Sequence, residues 1–381
     1  MQKDQDILAI RQENQQLKED CEKVNKQRKL LADENQKLKL ALAELEAQFC
    51  ELYRQPNIVD IKFEWKEREK APRCMYRSCD AAVRADGVVY LRPAHTRSIY
   101  MFNATSENSL QFSQLPDCAP SSCSLAVINN QLTVIGGYLG FGYSNKLLSF
   151  EEEGSGGVWT ETFPPMPTKR RWTTSLCTRT VLIVAGGVGD RGALKTVEMM
   201  DITTHQWYSA ADLPEQLYSN SAAVCGDCIY MLGGKLPGHY GGPGVPVNSV
   251  FTCSLSALLR SCSSTAVNES TTSAADQLGS ASSEVWSRVA DLPVELSTCV
   301  SFSGRLIAIG GWKDTPTTAI YLYNPILNTW NIINYMSIAR YACFALTLKS
   351  SKLVVVGGDV GGGFYEEALD SVEIATLLAL E

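Results

Sequence analysis

The sequence predicts an all-β fold, a six-bladed β-propeller, preceded by a long N-terminal α-helix that forms a parallel coiled coil. Three observations carry this expectation. Five apolar runs end in a glycine pair at a spacing near 50 residues, an aromatic residue recurs in step with them, and the N-terminal stretch repeats an apolar residue at every seventh position. None of the 28 glycines precedes Gly87, and the first proline is Pro56, so the chain reads as two different polymers joined end to end.

The helix comes first, over residues 1–55. Ile10, Leu17, Val24, Leu31, Leu38, Leu45 and Leu52 recur every seventh residue and occupy the d positions of a heptad. Ile7, Asn14, Cys21, Arg28, Asn35, Leu42 and Phe49 fall at a. Asn14 and Asn35 weaken the seam but specify it, because paired asparagines satisfy each other in one register and favour two parallel strands. In that register Glu13 faces the partner copy's Lys18, and Glu34 its Lys39. The expectation is a homodimer.

The repeats follow. The doublet closes Leu132-Thr-Val-Ile-Gly-Gly137, Leu182-Ile-Val-Ala-Gly-Gly187, Ile229-Tyr-Met-Leu-Gly-Gly234, Leu306-Ile-Ala-Ile-Gly-Gly311 and Leu353-Val-Val-Val-Gly-Gly358, after a degenerate copy at Val88-Val-Tyr-Leu-Arg-Pro93. First glycines are 50, 47, 77 and 47 residues apart. The aromatics Trp65, Phe112, Trp159, Trp207, Trp286 and Trp330 are 47, 47, 48, 79 and 44 apart. Two independent markers sharing a period near 50 resemble the kelch repeat, whose unit is a four-stranded propeller blade. In strands A to D, B ends in the doublet and D carries the aromatic. The last repeat stops short of its strand D, and Ile61-Lys-Phe-Glu-Trp-Lys-Glu67 supplies a spare one. Residues 57–381 are therefore read as the propeller and 57–68 as the strand that closes its last blade.

Antiparallel strands bring the B-to-C and D-to-A connections to one face. Candidate partner-binding residues there are Arg77, Tyr138, Phe141, Tyr143, Arg170, Arg171, Arg191, Tyr218, Tyr240, Trp312, Arg340 and Tyr365. Resemblance to kelch substrate adaptors of ubiquitin ligases implies that arginines after a Met-Pro turn line a partner pocket. Arg170, four residues after Met166, and Arg340, four after Met336, take that place, while Leu217 and Leu296 break the ring. Blade four carries two insertions, a Gly/Pro-rich B-to-C loop from Lys235 to Asn248 and a Ser-rich C-to-D segment, 254–284, read as flexible.

Composition narrows the function. With 34 Lys and Arg against 41 Asp and Glu the net charge is -7, which gives no basic field for a nucleic-acid backbone. No apolar run is long enough for a membrane span and no signal core opens the chain, so a cytoplasmic protein is expected. The 13 cysteines are scattered through apolar strands and read as free thiols. The three histidines form no ligand spacing, so neither metal, cofactor nor catalytic residue is assigned. Cys225-Gly-Asp-Cys228 falls on a hairpin and is read as turn chemistry. The resulting expectation is a non-enzymatic protein-binding module that serves substrate recognition for a ubiquitin ligase or scaffolding. The 381 residues hold no BTB segment, so a ligase role calls for a further subunit. The alternatives are an actin cross-linker and a sugar-modifying propeller enzyme.

Overall fold

The computed structural model describes residues 63–68, 80–84, 87–92, 97–103, 106–116, 120–153, 156–238, 242–264, 285–348, 352–361, 369 and 371–377, with scattered positions between 15 and 37. The chain divides into two units, Met1–Ile58 and Val59–Glu381. In the first, the described positions are helical, and the d residues Val24 and Leu31 are 52% and 60% exposed. Ile10, Asn14, Leu17, Asn35, Leu38, Leu45 and Leu52 lie outside the described residues.

The second unit is six antiparallel blades. Blade 1 runs Asp80–Val83, Val88–Arg92, Ser98–Asn103 and Ser106–Gln114. Blade 2 is Ser124–Ile128, Gln131–Tyr138, Tyr143–Glu153 and Gly156–Thr160, and blade 3 is Thr174–Cys177, Val181–Ala185, Val197–Asp201 and Trp207–Ala210. Blade 4 comprises Ser221–Cys225, Cys228–Leu232, Val250–Ser254 and Ser287–Val289; blade 5 comprises Thr298–Phe302, Arg305–Ile309, Ala319–Asn324 and Thr329–Tyr335. Blade 6 has Phe344–Leu348, Lys352–Val356 and Val372–Leu377, and its fourth strand is Phe63–Arg68, paired in register from Phe63 opposite Leu377 to Arg68 opposite Val372.

The apolar runs follow from where the core sits. Side chains alternate along a strand, and each face of a blade is covered by a neighbour. In strand B of blade 3, Leu182 and Val184 pack with Ile135 and Ala126 of blade 2, while Ile183 and Ala185 pack with Ile229 and Met231 of blade 4. In blade 4, Tyr230 and Leu232 turn to Leu306 and Ala308 of blade 5. A strand buried on both faces is apolar at every position, which is why the repeats read as continuous runs. The strand D tryptophans tie blade to blade: the Nε1 of Trp207 donates to Pro164 O (3.1 Å), that of Trp286 to Ala211 O (3.0 Å) and that of Trp330 to Ala290 O (2.9 Å).

The doublet has a local cause. Gly186 has φ +60°, and a Cβ there would stand 2.3 Å from Leu217 O in the turn entering the next blade. Only glycine fits both the left-handed backbone and the approach.

One expectation is corrected. The segment 254–284 is not uniformly flexible, because its first part folds onto the rim. Leu255–Arg260 is a helical turn capped by Ser254, whose Oγ accepts from Ala257 N (3.0 Å), and Leu258 is fully buried in the core between blades 3 and 4. Ser263–Ser264 then pairs with Tyr208 and Ser209 as a fifth strand of blade 3. Leu258 and Cys262 supply the apolar contacts that a Ser-rich composition conceals. Residues 265–284 lie outside the described residues.

Candidate functional site

Five D-to-A turns share one register. In each, a triplet ends one residue short of strand A: Pro120-Ser121-Ser122, Arg170-Arg171-Trp172, Leu217-Tyr218-Ser219, Val294-Glu295-Leu296 and Arg340-Tyr341-Ala342. The middle residue forms an antiparallel bridge to the residue after the doublet of its own blade: Ser121 to Tyr138, Arg171 to Val188, Tyr218 to Lys235, Glu295 to Trp312 and Tyr341 to Asp359. This bridging brings the D-to-A and B-to-C connections together. The third residue is left-handed every time, with φ 52° at Ser122, 50° at Trp172, 51° at Ser219, 51° at Leu296 and 48° at Ala342. Non-glycine residues in this region cost about 1–2 kcal/mol each. Hydrogen bonds between adjacent turns hold them there: Trp172 N donates to Ser122 O, Ser219 N to Trp172 O and Ala342 N to Leu296 O, each at 3.0 Å.

The first residue of the triplet points inward, and this corrects two sequence assignments. Arg170 and Arg340, expected on the partner-binding face, are both 0% exposed. Arg170 Nη1 donates to Gly186 O (2.9 Å) and Thr196 O (3.2 Å), and Nη2 pairs with the buried Glu198 at 2.9 Å. Arg340 Nη1 donates to Gly357 O (2.8 Å), and Nη2 reaches Ser371 Oγ (2.9 Å) and Glu373 Oε1 (2.5 Å). Their backbones accept from the preceding blade, Gly137 N to Arg170 O and Gly311 N to Arg340 O. Both arginines are therefore staples between blades 2 and 3 and blades 5 and 6. Burial pulls the Arg170 guanidinium below its ordinary pKa, while Glu198 opposes the shift.

Sequence reasoning missed the two glutamates, although the repeat contains their signal. Glu198 and Glu373 stand at the same strand C position, where the other doublet-bearing blades place Leu148, Phe251 and Tyr321. Among the five described turns, the arginine takes the first position only in the two blades that carry the acid.

Arg171, one residue on, is surrounded by rings. Its Cζ lies 3.8 Å from the Trp172 ring centroid and 5.2 Å from those of Tyr138 and Tyr143. Trp172 stacks on Tyr218 at 5.7 Å and 22°, and Tyr138 and Tyr143 are tilted together at 5.9 Å. Arg171 Nε is buried without a hydrogen-bond partner, and among the described residues no carboxylate pairs with this guanidinium. Beyond the cluster Phe141 is 92% exposed, and Arg191 is exposed on the adjoining hairpin. On the blade 4 side, Lys235–Leu236 pairs with Val245–Pro246, and Gly244 is so close to the Tyr218 hydroxyl that a Cβ would stand 1.7 Å from it. Trp312 meets Tyr341 edge to face at 5.1 Å. The structure thus brings together Tyr138, Tyr143, Arg171 and Tyr218, and keeps Trp312 in a separate contact. Arg77, Tyr240 and Tyr365 lie outside the described residues.

Cys225 and Cys228 face each other across the hairpin as free thiols. Burial pushes Cys225 up to about 11, which leaves little thiolate near neutral pH. Among the described residues no three His, Cys, Asp or Glu side chains form a metal-binding group, and no helix is long and apolar enough to cross a membrane.

Comparison with known proteins agrees with the repeats. A family model described as the Kelch motif matches residues 173–214 and 296–337, the spans of blades 3 and 5. Relatives include the Kelch repeat protein M-T8 of Myxoma virus (strain Lausanne), 24% identical over 58% of this chain and 47% of that protein. Kelch-like protein 38 of Rattus norvegicus is 26% identical over 47% of this chain and 35% of its own length. Kelch-like protein terF of Aspergillus terreus (strain NIH 2624 / FGSC A1156) is 26% identical over 45% and 41%. The chain thus spans less than half the length of each of these relatives. Among solved structures, that of YjhT superposes with a TM-score of 0.60 at 16% identity, over 80% of this chain and 95% of that one.

Proposed function

We propose that this propeller, whose repeats carry the kelch motif, is a non-enzymatic module that takes a protein partner on the face built by its B-to-C and D-to-A connections. The observation that carries this reading is the cluster of Tyr138, Tyr143, Arg171, Trp172 and Tyr218 beside the exposed Phe141. Aromatic and arginine side chains held on a rigid scaffold are the groups that dominate binding energy at protein interfaces. Kelch proteins among its relatives support the same class. Within it, we assign substrate recognition for a ubiquitin ligase or scaffolding in the cytoplasm. Homodimerisation through the N-terminal helix is part of the proposal, because Val24 and Leu31 stand exposed at heptad d positions. Two propellers on one stem gain avidity for a repeated partner.

The test is affinity capture from cells with the full chain, compared with Trp172→Ala and Phe141→Ala. The proposal expects a discrete set of proteins to be lost with both variants at unchanged melting temperature. An identical set with and without the substitutions would sink it.

A further inference from the structure

The loop face bears two charges of opposite sign that have no ion pair among the described residues. Of the five middle residues of the turns, Ser121, Arg171, Tyr218, Glu295 and Tyr341, two are ionic. The same antiparallel bridge fixes each backbone, so Arg171 of blade 3 and Glu295 of blade 5 occupy equivalent positions two blades apart around the ring. Among the described residues, neither has an ion pair. Arg170, the residue before it, and Arg340 at the corresponding position of the blade 6 turn do find acids, so the absence at Arg171 is particular to this position.

Around Arg171, the rings of Trp172, Tyr138 and Tyr143 cover the guanidinium, and Nε is sealed without a partner. Only the edge formed by the two terminal nitrogens remains for a ligand. That edge fits the two oxygens of a carboxylate, and the low-dielectric surroundings strengthen the attraction. Glu295 is half-buried, and its carboxylate presents the complementary need for a cation. A uniformly acidic segment crossing the mouth would gain at Arg171 and be repelled at Glu295. A uniformly basic one would suffer the reverse.

We propose that the loop face selects a peptide segment carrying charges of both signs, with an Asp or Glu seated on Arg171 and a Lys or Arg facing Glu295. This rests on the reading of the loop face as the partner site and names the chemistry of that partner.

The experiment pans a phage-displayed random dodecapeptide library on the full chain, on Arg171→Met and on Glu295→Gln, with melting temperatures verifying that each variant is folded. The wild-type protein is expected to enrich peptides that hold both an acidic and a basic residue. Arg171→Met should lose the acidic preference alone, and Glu295→Gln the basic preference alone. A synthetic peptide from the wild-type pool should bind each variant at least about tenfold more weakly, about 1.4 kcal/mol. Arg171→Lys, which keeps the charge without the fork, should fall between. Peptides that need Trp172 and Phe141 but show no charge pattern, or only acids, overturn this inference and leave the loop-face reading standing. Peptides indifferent to Trp172→Ala and Phe141→Ala overturn the loop-face reading. A selection that enriches nothing overturns both.

Discussion

At Arg170 the guanidinium is wholly inside the protein, held by two carbonyls and Glu198, whereas the next guanidinium meets no carboxylate and stands among rings. The turn geometry separates the two roles, because adjacent residues of an extended segment project to opposite sides. Removing the inner one leaves a buried carboxylate without its cation. Arg170→Met and Arg340→Met are therefore each expected to cost about 3–5 kcal/mol, read as a fall in the urea midpoint. Arg171→Met should stay within about 1 kcal/mol of wild type. Equal losses at Arg170 and Arg171 would refute the division. Sequence inspection located the arginine-bearing turns and put Arg170, Arg171 and Arg340 alike on the surface, without separating the inner residue of the turn from the outer one. A loop's register depends on where its backbone bridges, and here that bridge runs to a residue beyond the glycine doublet of the same blade.

Among the elements, strand B was legible because burial on both faces leaves an almost unbroken apolar run, and strand C because it follows the doublet with only isolated polar positions such as Glu198 and Glu373. The start of the blade 4 insertion was not, since its order comes from two side chains and a two-residue strand pairing. Leu258 fills the core between blades 3 and 4, while its neighbour Leu259 is 43% exposed. Leu258→Ala should lower stability by about 2–5 kcal/mol in chemical unfolding, and Leu259→Ala by less than about 0.5 kcal/mol. Matching effects would show that the helical turn does not pack on the rim. The short Ser263–Ser264 strand covers part of the outer edge of blade 3, an edge that otherwise presents unpaired backbone groups.

For the whole molecule, ring closure is the governing fact. Phe63–Arg68 pairs with Val372–Leu377, residues about 300 apart in sequence, so the last blade is completed by the first strand. A chain without residues 63–68 is expected to melt at lower temperature and to aggregate with rising concentration, followed by light scattering. Unchanged melting with a monodisperse solution would show that the strand is dispensable. The sequence by itself determined the number of blades, their strand order and the doublet between strands B and C, because five of the six repeats encode the same short-range demands: an apolar strand buried on both faces, a left-handed glycine pair and an indole for the neighbouring blade. Only the tertiary structure decided which arginine is a staple and which faces outward, and that Arg171 and Glu295 stand in equivalent turns. Those relations join residues tens of positions apart through backbone bridges and ring contacts, and no local pattern of residue types specifies them.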